Sequence, residues 1–140
     1  MKQPPGPEVL EAPANAAIIG YLRSSATPHR PGHGMEYGGW ELMTHPDLGE
    51  MFGKLAGRSS VVPVFGRPAV VEHGVIAAVA VGTTWLLFRL PSPPAGVEMN
   101  KPITALEGTG WYAVSAWQPD SDGDSRLKSV LRDALEFAVS

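Results

Sequence analysis

Cysteine is absent from the 140 residues. That excludes disulfides and thiolate metal centres and suits a reducing compartment, so a cytoplasmic location is expected. Charge is sparse as well. Eleven Lys and Arg stand against fourteen Asp and Glu, a formal net charge of −3. No global positive field would hold the chain to nucleic acid or an anionic membrane. The opening MKQPPGPEVLEAP has no apolar stretch behind its lysine, so no secretory signal is expected. A membrane-length run is missing too. The most apolar segment, GVIAAVAVGTTWLLFRLP at 74–91, is broken by Gly82, Thr83 and Thr84 and carries Arg89. A spanning helix needs about 20 uninterrupted apolar residues.

The chemistry of known sites is equally scarce. There is no G-x-S-x-G and no phosphate-binding glycine motif; GRP at 66–68 and GTT at 82–84 are turn signals. The acidic run DSDGD at 120–124 lacks calcium-loop spacing, with Gly123 too early and Leu131 where the closing Glu belongs. It reads as a solvated loop that caps a helix. His29 and His33 lie in PHRPGHG, which cannot hold them on one helical face. No cofactor and no metal are expected.

What remains is a composition that folds. Hydrophobic residues make up 44%, enough for one modest core in a single domain over 1–140. Residues 1–39 form a Pro/Gly-rich, partly irregular segment, with a short helix over PANAAIIGYLR and a loop over 24–39. Residues 44–138 form the α+β core. Thr44 is the expected N-cap of a helix whose Leu48, Met51, Phe52 and Leu55 share one face, and Gly57 is its expected C-cap. Strands follow at 61–65 and 68–71, with Glu72-His73-Gly74 as the turn into Val75. The segment 91–110 is a loop crossing, and WYAVSAW at 111–117 alternates as a further strand. SRLKSVLRDALEFA closes the chain as an amphipathic helix capped by Asp124 or Ser125. This order implies an antiparallel β-meander with helices packed on one face and a C-terminal amphipathic helix.

The apolar run predicts a hairpin. A two-residue Gly82-Thr83 loop sets Val81 opposite Thr84 and Val79 opposite Leu86. One face then collects Val75, Ala77, Val79, Val81, Leu86, Phe88 and Leu90. The other collects Ile76, Ala78, Ala80, Trp85, Leu87 and Arg89. The second face is mixed, and its alanines leave room for something to lie on it. The chain's own N-terminal segment is the favoured cover; a second copy or a protein partner is the alternative. The binding candidates are therefore Trp85, Leu87 and Arg89, together with Arg67 and the turn residue His73. Trp40, Trp85, Trp111 and Trp117 are many for this length, and tryptophans usually fill cores.

Phe65-Gly66, His73-Gly74, Gly82-Thr83, Arg89 and the strand Trp111 to Val114, followed by an acidic loop and a closing helix, carry a likeness. Over about residues 60–138 the chain resembles the N-terminal domain of TfoX competence regulators and the related YjbR (MmcQ) proteins. The resemblance implies a small α+β domain without an established catalytic mechanism and with a regulatory, DNA-associated setting. The long Pro/Gly-rich N-terminal part and the missing basic surplus depart from that pattern. The functional expectation is a non-enzymatic interaction or regulatory module that binds a protein partner or itself as a homodimer, away from membranes. The alternatives are a small-ligand domain or enzyme with a pocket between sheet and N-terminal segment, and a weak nucleic-acid binder using Arg58, Arg67 and Arg89.

Overall fold

A computed structural model describes residues 3–25 and 44–140. The expected loop over 24–39 begins later, because residues 24 and 25 belong to the second helix; residues 26–39 with His29 and His33, and Trp40 after them, lie outside the described residues. Four α-helices are described: α1 (Pro7–Leu10), α2 (Ala16–Ser25), α3 (Pro46–Ala56) and α4 (Gly123–Ala138). The strands β1 (Val61–Val64), β2 (Arg67–Glu72), β3 (Val75–Val81), β4 (Trp85–Arg89) and β5 (Trp111–Ser115) form one antiparallel sheet in sequence order. The α+β meander with its C-terminal amphipathic helix is thus observed. No helix among the described residues is long and apolar enough to cross a membrane.

Tight turns make the meander. Phe65 and Gly66 have φ of 49° and 81°, and His73 and Gly74 have 50° and 81°. Two residues with positive φ between paired strands give the twist that antiparallel neighbours need. Glycine adopts that conformation freely; Phe65 and His73 are held in it.

Two layers of helix cover the sheet. Leu48 and Phe52 of α3 and Leu127, Val130, Leu131 and Ala134 of α4 pack on one side. Both stripes were legible as periodic apolar positions. Gly57, at φ 87°, ends α3 as expected. Two caps differ from expectation. His45, not Thr44, caps α3, its Nδ1 accepting from the Asp47 N–H at 3.0 Å. Thr44 instead donates its hydroxyl to the Ala80 carbonyl at 2.6 Å and bridges Gly82 beyond the end of β3. Helix α4 begins at Gly123, with Asp122 as cap residue and no side-chain cap bond. A Cβ at Gly123 would meet the Gln118 Cβ at 2.4 Å, so the loop can close on the helix only at a glycine.

The other side of the sheet is covered by the N-terminal segment. Pro13–Asn15 forms a 3-10 turn that runs into α2, and Ile18, Ile19 and Leu22 are buried against Ile76, Val79 and Leu87. Asn15, fully buried, ties this layer down. Its Nδ2 donates to the Val9 carbonyl (2.7 Å) and the Gly74 carbonyl (2.9 Å), and its Oδ1 accepts from the Ile76 N–H (2.8 Å).

The hairpin differs from the expected register. Val81 pairs with Trp85, Ala80 with Leu86, Val79 with Leu87 and Ala78 with Phe88, so the loop has three residues. Distant groups hold it open. Gly82, Thr83 and Thr84 carbonyls accept from the His45 N–H, the Trp117 indole N–H and the Ala116 N–H at 2.8 Å each. The shift moves Val79 and Val81 to the α2 side and Ala78 and Ala80 to the α3/α4 side. A bulge then corrects the parity. Val70 pairs with Ala78 but Val71 with Ile76, so Ala77 is the extra residue. Val75 and Ala77 therefore stay with Leu86 and Phe88, and Ile76 stays with Leu87, as expected. Leu86 and Phe88 are fully buried on the side opposite Trp85. The alanines sit where two helices approach the sheet, and Leu86 and Phe88 supply the bulk.

The crossing at 91–110 contains a 3-10 turn, Thr104–Leu106, and an isolated antiparallel bridge from Met99 to Val114 of β5. Ser115 N–H donates to the Glu98 carbonyl and Asn100 N–H to the Ala113 carbonyl, each at 3.0 Å. This covers the β5 edge. The β1 edge is blunted differently. Pro63 lies opposite Pro68, and neither can donate, so this pair is a non-hydrogen-bonded one. The position of the absent Pro63 N–H therefore faces outward, which removes a donor from the exposed edge.

Candidate functional site

The five residues singled out from the sequence do not form one patch. Leu87 is buried in the α2 layer. Trp85 is half-buried beside that layer, and its indole N–H donates to the Lys101 carbonyl at 2.9 Å. The N-terminal helix and the crossing thus cover the face that was the candidate. Arg89 lies four residues along β4 from Trp85, about 13 Å at strand rise. Its guanidinium stacks 4.5 Å from the centre of the Phe137 ring on α4. Arg67 is fully buried; its Nη1 donates to the Phe65 carbonyl at 2.6 Å. Burial pulls its pKa down, while Tyr21 opposes the shift; burial likewise pushes the Tyr21 pKa up, with Arg67 opposing. His73 stands exposed at the β2–β3 turn, 3.6 Å from Glu72.

Nor do the acids of the 120–124 loop converge. Asp120 pairs with Arg126, Asp122 precedes α4 and Asp124 lies in its first turn. Among the described residues no group of three or more His, Asp or Glu could hold a metal ion.

A different residue stands out. The alternation of WYAVSAW suggests a strand to Trp117, but β5 ends at Ser115 and the chain turns away. Trp117 is left 49% exposed, the most exposed aromatic side chain among the described residues that are large and apolar. Its indole N–H donates to the Thr83 carbonyl, which fixes the ring. The ring overlooks a cleft of about 400 Å³ between α3 and the start of α4. Half-buried Met51 and Leu55 line it from α3. Around them stand Asp47, Glu50, Lys54, Asp124 and Lys128. Glu50 is held by Arg58 at 2.9 Å and by Lys54 at 4.0 Å. An orientated aromatic next to flexible apolar side chains, ringed by charges of both signs, is an arrangement that recognises protein surface. The sequence signal was only a fourth tryptophan beyond the end of a strand.

No family model matches the chain, and no curated protein or solved structure matches it either.

Proposed function

We propose that this chain is a non-enzymatic protein-interaction module whose docking face is the α3–α4 cleft, with Trp117 as its anchor. The observation that carries the proposal is the exposed, hydrogen-bonded Trp117 beside Met51 and Leu55. Tryptophan is among the residues that most often dominate binding energy, and a surrounding polar rim excludes water from such an anchor. Strand addition is the weaker mode here, because Pro63 blunts one sheet edge and residues 98–100 occupy the other. A cleft between two helices instead suits a helical segment of a partner, laid with its apolar side on Trp117. This reading is compatible with the small α+β domain without an established catalytic mechanism that the TfoX and YjbR resemblance implies.

The test uses helical peptides selected from a displayed library on the wild type, with sedimentation of the chain alone across a concentration series. Trp117→Ala should leave unfolding stability within about 1 kcal/mol, because the side chain is half in water. It should abolish peptide binding, or dimer formation if the partner is a second copy. Binding and self-association that are indifferent to Trp117 would refute the proposal.

A further inference from the structure

The α3–α4 cleft has two ends of opposite charge. Both helices start at the β3–β4 loop. His45 N–H, just before α3, donates to the Gly82 carbonyl, and Ala116 N–H and the Trp117 indole N–H, before α4, donate to the Thr84 and Thr83 carbonyls. Gly123, the first residue of α4, packs on Gln118 directly after Trp117. At its far end α4 places Phe137 against Arg89, the last residue of β4. Two acids line the cleft at the loop end, Asp47 and Asp124, each in the first turn of its helix. Its lysines lie further along, Lys54 about 10 Å up α3 and Lys128 about 6 Å up α4 at helical rise.

This polarity survives its surroundings. Each helix N-terminus offsets only about half of a carboxylate, so the loop end stays negative. Glu50, between the ends, is neutralised by Arg58 at 2.9 Å. The two acids and two lysines are all exposed, and among the described residues none of them is paired closer than 3.9 Å. The apolar part is skewed along the same axis. Trp117 is tied to the loop end through Thr83, while Met51 and Leu55 follow one and two turns beyond Asp47.

A two-fold axis through the middle of such a cleft lays the loop end of one molecule on the far end of another. Each Trp117 is then carried towards Leu55 of the other copy, and each pair of acids towards the other copy's lysines. In an isologous contact every such attraction is made twice. An unrelated protein must bring a reversed pattern of its own; a second copy carries it by construction.

We infer that the partner of this cleft is a second copy of the chain, docked about that two-fold axis. The inference rests on the cleft being the docking face with Trp117 as anchor, and adds what docks there.

Two charge-reversed variants test the pattern. Lys54→Glu with Lys128→Glu makes both ends acidic; Asp47→Lys with Asp124→Lys makes both ends basic. Sedimentation from micromolar to millimolar chain should show the wild type dimerising. Each variant by itself should associate about tenfold more weakly or worse, since like charges then face each other. An equimolar mixture of the two should associate about as tightly as wild type, because the facing ends are again opposite, and that recovery shows both variants folded. A measurement on the unaltered chain stands beside these: the Trp117 indole N–H signal in NMR, assigned through Trp117→Phe, should move with concentration. A dimer whose Trp117 signal stays still would overturn the inference. So would variants that self-associate like wild type, or a mixture no tighter than its components when circular dichroism shows both folded. A wild type that stays monomeric at millimolar concentration overturns it as well. If selected helical peptides then still bind through Trp117, the docking role of the cleft stands without a second copy; if they do not, both readings fall.

Discussion

Asn15→Ala would remove one side chain and three long-range ties. Nδ2 serves the Val9 and Gly74 carbonyls, and Oδ1 serves the Ile76 N–H. Each net hydrogen bond is worth about 1 kcal/mol, and a buried group left without a partner adds to the loss. The variant should therefore lose about 3 kcal/mol, since Asn15 is fully buried. Urea unfolding followed by circular dichroism measures the loss as a lower midpoint at unchanged slope. Exchange of the Ile76 amide should quicken by more than that of the neighbouring β3 amides. Asn15→Asp adds a sign. It keeps an acceptor for Ile76 but turns an oxygen towards two carbonyls in a buried site. Burial and those carbonyls raise the folded-state pKa of the introduced carboxyl above its unfolded value of about 3.9. The folded state then binds the extra proton, so stability relative to wild type should rise as pH falls through that pKa and level off below about 4. A loss under about 0.5 kcal/mol for Asn15→Ala would refute the claim that this side chain fastens the N-terminal layer.

Phe88→Ala should cost about 3–5 kcal/mol in chemical denaturation, because the ring is fully buried between sheet and helices. Trp85→Ala should cost less, about 2–3 kcal/mol, since the ring is half-buried and loses one bond to Lys101. His73→Asn should stabilise by a few tenths of a kcal/mol, as asparagine tolerates positive φ at a hairpin turn. Gly74→Ala should cost about 1–2 kcal/mol from backbone conformation alone, because nothing lies within 4 Å of the added Cβ; both are read from thermal melts. Burial should make Tyr21 ionise above the ordinary phenol value of 10.0, seen as the difference in ultraviolet titration between wild type and Tyr21→Phe. Because the neutral phenol is favoured on folding, its contribution is present below pH 10 and is lost as pH rises through the folded-state pKa.

The helices α3 and α4 were legible because their apolar residues recur at a period that only a helix can bury on one side. The turns were legible at Gly66 and Gly74, because glycine between apolar runs permits positive φ, but their bounds were not: Phe65 belongs to the first turn and Arg67 and Glu72 to β2. Neither signal reaches across the molecule. The stretch IAAVAV in β3 is apolar at every position, and both sheet faces are covered, so alternation carries no record of which side is which. Carbonyls on Gly82, Thr83 and Thr84 found partners on His45, Trp117 and Ala116, and these distant bonds chose a three-residue loop. The bulge at Ala77 followed from pairing with β2, which local pattern does not encode. Trp117 is exposed because β5 stops two residues short of it and its indole bonds to the hairpin loop. Local pattern carried the main helices and strands and their order, though not α1 or the end of β5, since those main elements rest on contacts within a few residues. Register, the choice of faces and the candidate site were decided by the tertiary structure, since each rests on bonds between segments far apart in the chain.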